Sequence, residues 1–413
     1  MPSGRGVAVF GTGLALWVVA RIVGSPGMEV AGVGLIVLPF LASAFVWWGR
    51  TQISIRRRLT DVRVPPGTRV NVELEVENRS GVPTSLLLIE DKLPSTLGRP
   101  ARLVVSGVLG HASQRVSYTV LPQVRGRYRL GPLFADIADP FALTRQRLEF
   151  DEREELLVTP EIEDLMGASD SPMGPSFGAS RARQLFRTGE EYYTMRGYQE
   201  GVDLRRIHWP SVARTGDLMI RQDESSRRAN GLVFLDTRAQ VLGQSHGQAF
   251  ERAVSVAATM GVLLARRGFG IRLATTEAPP ATVTEDRFLD ALAGITHAQA
   301  RSIGPSLSHL RAGASADTSL IFVSAPPAPG ELGSLIRAGA GYGPKLAVLV
   351  YPVDPEALPP ERRAQLEGRA TQAVMALTRA GWDPIVLPPS MRLKERWHAP
   401  RERPTNRPLA HSV

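Results

Sequence analysis

Cysteine is missing from the 413 residues. Its absence excludes disulfides, thiolate metal ligands and a cysteine nucleophile, and it fits a reducing compartment. Aromatic residues are sparse at 6%, so the stacking platforms that single-stranded nucleic acid needs are thin. Motifs that carry a mechanism are lacking too: there is no Walker lysine loop, no H-E-x-x-H and no G-x-S-x-G. What the chain has in surplus is positive charge, +9 in net terms. A basic balance favours anionic lipid, nucleic acid or an acidic protein surface. At this length two or three domains with sizeable cores are expected.

Long apolar runs occur only at the start. Val7 to Val23 and Val30 to Trp48 approach or reach the roughly 20 apolar residues that cross a bilayer. Arg21 stands near the end of the first run and can snorkel, while Trp17, Trp47 and Trp48 suit interfacial positions. Gly24 to Glu29 reads as a tight turn between them. Arg5 precedes the first run, and Arg50 with the Arg56-Arg57-Arg58 cluster follows the second. Positive charge at both outer ends places them in the cytosol. A cleaved signal peptide is the rival reading of the first run, but no small-residue cleavage pattern follows it. The expectation is a transmembrane helix hairpin over residues 1–50, touching lipid through residues 7–48. It places the chain in the cytoplasmic (inner) membrane, with the domains after residue 50 in the cytosol.

From Val62 the pattern changes to alternation, clearest in Val70-Asn-Val-Glu-Leu-Glu-Val-Glu77. Period two over eight residues predicts a strand with one wet face. Leu86 to Ile89, Arg102 to Val105 and Arg115 to Val120 read as further short strands. Together they predict an antiparallel β-sandwich over residues 51–159. The four arginines from Arg125 to Arg145 could form a phosphate patch, but solvated charge guarding strand edges is the simpler reading.

Residues 160–229 read as a linker followed by a signature. Gly167 to Arg181 is rich in Gly, Ser and Pro and predicts a loop. The stretch from Glu190 to Glu224 is the densest run of polar and aromatic residues, with Arg196, Tyr198, Gly201, Asp203, Arg205, Arg206, His208, Trp209 and Arg214 close together. Asp203 is placed to cap a short helix from Leu204, with Thr215-Gly216 as its stop. Pro210 inside that span predicts a kink at Trp209. One chemical reading is a phosphoester hydrolase site built from His208, Asp203 and the arginines. The plain alternative is a salt-bridged junction in which Asp203 and Glu191 neutralise arginines and Trp209 is buried, or a surface presented to a partner.

This stretch resembles the defining motif of the bacterial domain of unknown function 58 family, approximately R-x-Y-x-x-G-D-D-x-R-x-I-H/D-W-x-x-x-A-R-x-G-x-L. Arg196, Tyr198, Gly201, Asp203, Arg205, Ile207, His208, Trp209, Ala213, Arg214, Gly216 and Leu218 match it. Arg125-Gly126-Arg127, Gly131-Pro132 and Asp139-Pro140-Phe141 resemble that family's arrangement as well. Departures are Gly197, Val202 and Pro210, which argue against an acid pair or a metal ligand in the signature. The resemblance implies a MoxR-type AAA+ ATPase as partner and a role in envelope maintenance or complex assembly.

Residues 230–390 alternate strands with helices. Gly231-Leu-Val-Phe-Leu-Asp236 is a continuous apolar run ending in an acid, as a buried parallel strand should be. Phe250, Ala253, Val254, Ala257, Gly261 and Leu264 form one helical stripe. Ile271 to Thr275, Ser319 to Val323, Leu346 to Tyr351 and Pro384 to Leu387 are further strands. A doubly wound sheet follows, with its site beyond the strand ends at Asp236-Thr-Arg-Ala-Gln240. The layout resembles a von Willebrand factor A-like domain, whose metal site uses Asp-x-Ser-x-Ser here. Asp236 matches; Arg238 and Gln240 do not, and a guanidinium would repel a divalent cation that wants oxygen. Asp236 is expected to pair with Arg238 or cap a helix, with no metal bound. Gly304-Pro-Ser306 and Gly341-Tyr-Gly343 read as turns, and residues 391–413 as a disordered basic tail. The expected function is a membrane-tethered, non-catalytic adaptor with no cofactor, no small-molecule substrate and no nucleic acid. Nucleic-acid binding at the membrane is a further alternative that net charge alone suggests.

Overall fold

The computed structural model describes residues 3–49, 52–84, 86–105, 107–139, 141–165, 193–198, 207, 209–223 and 229–399. The protein is a mixed α/β chain with two N-terminal apolar helices and several sheets. It divides into two compact units, Met1–Thr159 and Pro160–Val413.

The first unit begins with α1 (Gly4–Val23) and α2 (Pro26–Gly49). Both are long and apolar enough to cross a membrane by length and composition. Ser3 caps α1, its hydroxyl accepting from Gly6 N at 3.1 Å, and Gly24 closes it at φ 73°. The turn between the helices is shorter than Gly24 to Glu29, because Pro26 needs no N–H partner and opens α2 at once. The helices lie backbone to backbone at two glycines. A Cβ on Gly13 would stand 2.9 Å from Ile36 N, and one on Gly32 would stand 2.8 Å from Trp17 N.

Ten strands follow among the described residues of this unit. They are β1 (Ile53–Leu59), β2 (Arg63–Val64), β3 (Val70–Asn78), β4 (Leu87–Asp91), β5 (Ala101–Val105), β6 (Ser113–Val120), β7 (Gly126–Leu130), β8 (Leu133–Ala138), β9 (Arg145–Phe150) and β10 (Glu154–Val158). They pair as β1-β3-β6, β2-β10-β7 and β5-β4-β8-β9, antiparallel except for β2 with β10. Val70, Val72, Leu74 and Val76 point inward as their alternation requires, joining Ile55, Leu87, Ile89, Leu130, Leu133 and Leu156 in one core.

Two charged stretches depart from expectation. Arg56-Arg57-Arg58 is not a solvated flank to the second helix but the middle of β1, where Arg57 shares the inward phase of Ile53 and Ile55. Its guanidinium grips Asp91 twice, Nη2 to Oδ1 at 2.6 Å and Nε to Oδ2 at 3.1 Å, and Nη1 donates to the carbonyls of Leu130 and Glu152. Tyr118 donates its hydroxyl to the same carboxylate. Arg125, expected at a solvated edge, is also buried.

The second unit carries a small antiparallel pair, β11 (Tyr193–Gly197) and β12 (Met219–Asp223), joined in register Tyr193↔Asp223. Then come β13 (Asn230–Leu235), β14 (Gly270–Thr275), β15 (Ala281–Val283), β16 (Thr318–Ser324), β17 (Lys345–Val350) and β18 (Asp383–Leu387). They form one sheet in the order β15-β14-β13-β16-β17-β18, parallel except at the β15 edge. Alternate residues of β13 feed two cores. Val233 and Leu235 pack with Phe250, Val254 and Leu264 of the helix Gln248–Arg266, while Leu232 and Phe234 pack with Leu307, Leu335 and Leu377 on the other face. Each such fully buried side chain contributes about 2 kcal/mol.

Three boundaries move. Gly304-Pro305 starts the helix Gly304–Ala312 rather than a turn, because proline in a first turn costs no hydrogen bond. The expected tail from 391 is ordered at first: Leu393–Trp397 is helical, with Leu393 and Trp397 buried. The expected linker from 160 is ordered at its start too. Glu163 N donates to Thr259 Oγ1 at 3.0 Å, and Leu165 joins the core.

Candidate functional site

In an open parallel sheet, ligands sit beyond the carboxyl ends of the strands where the winding reverses. Here that point lies between β13 and β16, since the chain leaves β13 for β14 on one side and returns to β16 on the other. Three strand ends meet there. Asp236 follows β13, Thr276 follows β14, and Ser324 ends β16. Asp236 is wholly buried, and its carboxylate is saturated. Oδ1 accepts from Thr276 Oγ1 at 3.1 Å and from Arg238 N at 3.1 Å. Oδ2 accepts from Ser324 Oγ at 2.7 Å and from Arg238 Nη2 at 2.8 Å, with Arg238 Nε 3.0 Å from Oδ1.

Arg238 is the centre of this site. Only 2% of it is exposed. Beyond Asp236 it reaches Glu331, in the first turn of the helix Pro329–Gly339, with Nη1 to Oε1 at 2.6 Å and Nη2 to Oε2 at 3.2 Å. One planar cation is thus forked between two carboxylates, the geometry that guanidinium suits best. Burial works against the charge on Arg238, but the hydrogen bonds it donates to Asp236 and Glu331 outweigh it and hold the group protonated. Gln240 turns elsewhere, donating to Arg301 O at 2.6 Å.

This donor set does not fit a divalent ion. The oxygens of Asp236, Thr276 and Ser324 are the hard ligands that Mg²⁺ would want, but the guanidinium already lies on the carboxylate. Among the described residues no three acidic or histidine side chains are grouped to hold a metal. Within the cup the Asp236 carboxylate is occupied by donors from Arg238, Thr276 and Ser324. What the cup does well is hold one fixed charge rigidly at the mouth of the sheet.

The signature is described in part. Arg196 lies on β11, Tyr198 N donates to Leu218 O at 2.7 Å, and Trp209 and Arg214 belong to the helix Trp209–Thr215. Gly201, Asp203, Arg205, Arg206 and His208, and with them the cluster of the hydrolase reading, lie outside the described residues. The described helix begins at Trp209, with Pro210 in its first turn, and the expected start at Leu204 lies outside the described residues. Gly216 stops it at φ 77° as expected. Trp209 is not buried but 66% exposed. Thr276 and Ser324 as partners of Asp236, and Glu331 as the partner of Arg238, were not assigned from the sequence. The signal available for the first two was a hydroxyl residue at the end of each neighbouring strand.

The second unit is thus an α/β domain with a mostly parallel sheet and a charge-filled cup at its carboxyl edge. Residues 194–380 match the family described as "Protein of unknown function DUF58". No curated protein matches the chain. Among solved structures, it is similar to the CARDB domain of the PF1109 protein from Pyrococcus furiosus, in complex with di-metal ions. That match has 13% identity over 26% of this chain and 91% of the other, with a TM-score of 0.20. The alkylpurine DNA glycosylase AlkC of Pseudomonas fluorescens matches at 14% identity over 32% of this chain and 42% of its own, TM-score 0.17. A Listeria innocua beta-glucosidase in complex with isofagomine matches at 14% identity over 24% and 16%, TM-score 0.16. Scores of this size define no common fold.

Proposed function

We propose that the chain is a membrane-tethered, non-catalytic scaffold. In this reading α1 and α2 span the cytoplasmic membrane, the strands β1–β10 form an antiparallel β-sandwich, and the second unit is a von Willebrand factor A-like domain in the cytosol. The order β15-β14-β13-β16-β17-β18 with one antiparallel edge supports the A-like reading. The observation that carries the non-catalytic part is the buried Arg238, which spends its donors on Asp236 and Glu331 where a reactive group or cation would have to sit. Such a mouth suits gripping another polypeptide. The exposed Trp209 adds the kind of aromatic anchor that interfaces favour.

The partner that the family resemblance suggests is a MoxR-type AAA+ ATPase, and the process is envelope-related complex assembly. The test is crosslinking of the full chain in intact cells, followed by mass spectrometric identification of what is attached. Recovery of such an ATPase, lost on Trp209→Ala, is the expected result. A crosslinked set without any ATPase, or turnover of a phosphoester that His208→Ala abolishes without unfolding, overturns the reading.

A further inference from the structure

Inside the first unit, a second feature has no place in the scaffold reading. An open cleft of about 1010 Å³ lies where the Ser3 end of α1 and the Trp47 end of α2 meet β8 and β9, lined by Ser3, Ser43, Trp47, Asp136, Arg145 and Arg147 among others. Arg145 and Arg147 are two apart on β9, so both guanidiniums leave the same face of the strand. Each is steered without being withdrawn from solvent. Arg145 stands 3.4 Å from Asp136 and Arg147 3.4 Å from Glu90, with half or more of each arginine side chain exposed (57% and 50%). Arg147 also lies over the ring of Phe134, 4.4 Å from its centre.

The helices are bolted to the segment that leads into this basic strand. Ser3 N donates to Leu143 O at 2.8 Å and its hydroxyl to Ala142 O at 2.7 Å, while Ser43 Oγ pairs with Thr144 Oγ1 at 3.0 Å. The height of the arginines above the apolar helices is therefore fixed. Trp47, 64% exposed in the last turn of α2, marks the level at which indoles meet headgroups.

We propose that this cleft holds the headgroup of an anionic phospholipid, its phosphate against Arg145 and Arg147 and its glycerol region along Trp47. The inference rests on the membrane-spanning reading of α1 and α2. Guanidinium forks suit phosphate oxygens, and the hydroxyls of Ser3 and Ser43 add polar lining. The lipid surface is the source because both apolar helices end at the cleft.

The test uses the full chain in nanodiscs of phosphatidylcholine alone or mixed with phosphatidylglycerol, with retained lipid read by native mass spectrometry. Phosphatidylglycerol should be retained in preference, and retention should fall roughly fivefold for each guanidinium removed by Arg145→Gln or Arg147→Gln. Arg115→Gln, on the separate sheet β1-β3-β6, should leave it unchanged. Equal retention of both lipids by the unaltered chain overturns the inference whatever the variants do. So does inorganic phosphate displacing the lipid at millimolar concentration, which would make the site one for a free anion. A chain that leaves the membrane in a carbonate wash overturns the anchor and this inference together. One that stays in without lipid preference overturns this inference alone.

Discussion

Two arginines, Arg57 in the first unit and Arg238 in the second, each lay a guanidinium on a buried aspartate, and the difference between them separates architecture from function. Arg57 reaches Asp91 from another sheet and spends its remaining donor on the carbonyls of Leu130 and Glu152, with Tyr118 completing the carboxylate. Both side chains are 0% exposed, so the ion pair itself is shut off from water, while Tyr118 and Glu152 at its margin are partly exposed. Arg238 reaches Asp236 only two residues away and passes its charge outward to Glu331, whose side chain is 31% exposed. The first is a sealed rivet between sheets. The second is an outlet from the interior to the carboxyl edge of a parallel sheet.

The largest effect should come from breaking the sealed pair. Arg57→Ala leaves Asp91 buried without its cation and should cost about 3–5 kcal/mol, read as a lowered calorimetric transition of the full chain in detergent. A loss below about 1 kcal/mol would mean that water enters the network freely. Arg238→Ser is expected to cost less, about 2 kcal/mol, because Thr276 and Ser324 still donate to Asp236. Millimolar Mg²⁺ should restore the variant's melting temperature and leave the unaltered chain's where it was. An equal rise in both would show that the guanidinium does not fill a cation's place.

Tyr118→Phe removes one hydroxyl donor from a charged acceptor and should cost about 1.5 kcal/mol. Glu331→Gln keeps a hydrogen bond at the partly wet end of the outlet and should stay under about 1 kcal/mol. The contrast between these two is the sharpest test of sealed against open: equal losses would erase it. Trp209→Ala should change stability by no more than about 0.5 kcal/mol, yet remove the crosslinked partner.

Periodicity made much of this legible. The alternation of Val70 to Glu77 and the unbroken apolar run before Asp236 locate β3 and β13 because each pattern has one physical solution, a half-wet strand or a fully covered one. The charged residues were harder. Arg56-Arg57-Arg58 behind an apolar helix reads as a membrane flank, and only the phase of Ile53, Ile55, Arg57 and Leu59 hints that the middle arginine faces inward. Gly304-Pro305 carries a turn signal that is also a helix start, and local sequence does not choose between them. At the candidate site, Asp236 and Arg238 could be paired from their spacing. Glu331 could not, because its approach depends on how a helix 93 positions later settles over the sheet.

The carboxylate of Glu163 has a practical consequence. Its two oxygens receive the N–H groups of Leu393 and Lys394, at 3.1 and 2.9 Å, and Arg252 joins them at 3.1 Å. A residue just past the first unit therefore caps the last described helix, stitching the two margins of the second unit into one seam. Anyone excising that unit for soluble expression should cut before Pro160 and after Ala399; trimming at the first strand of the large sheet would leave the final helix with an open end.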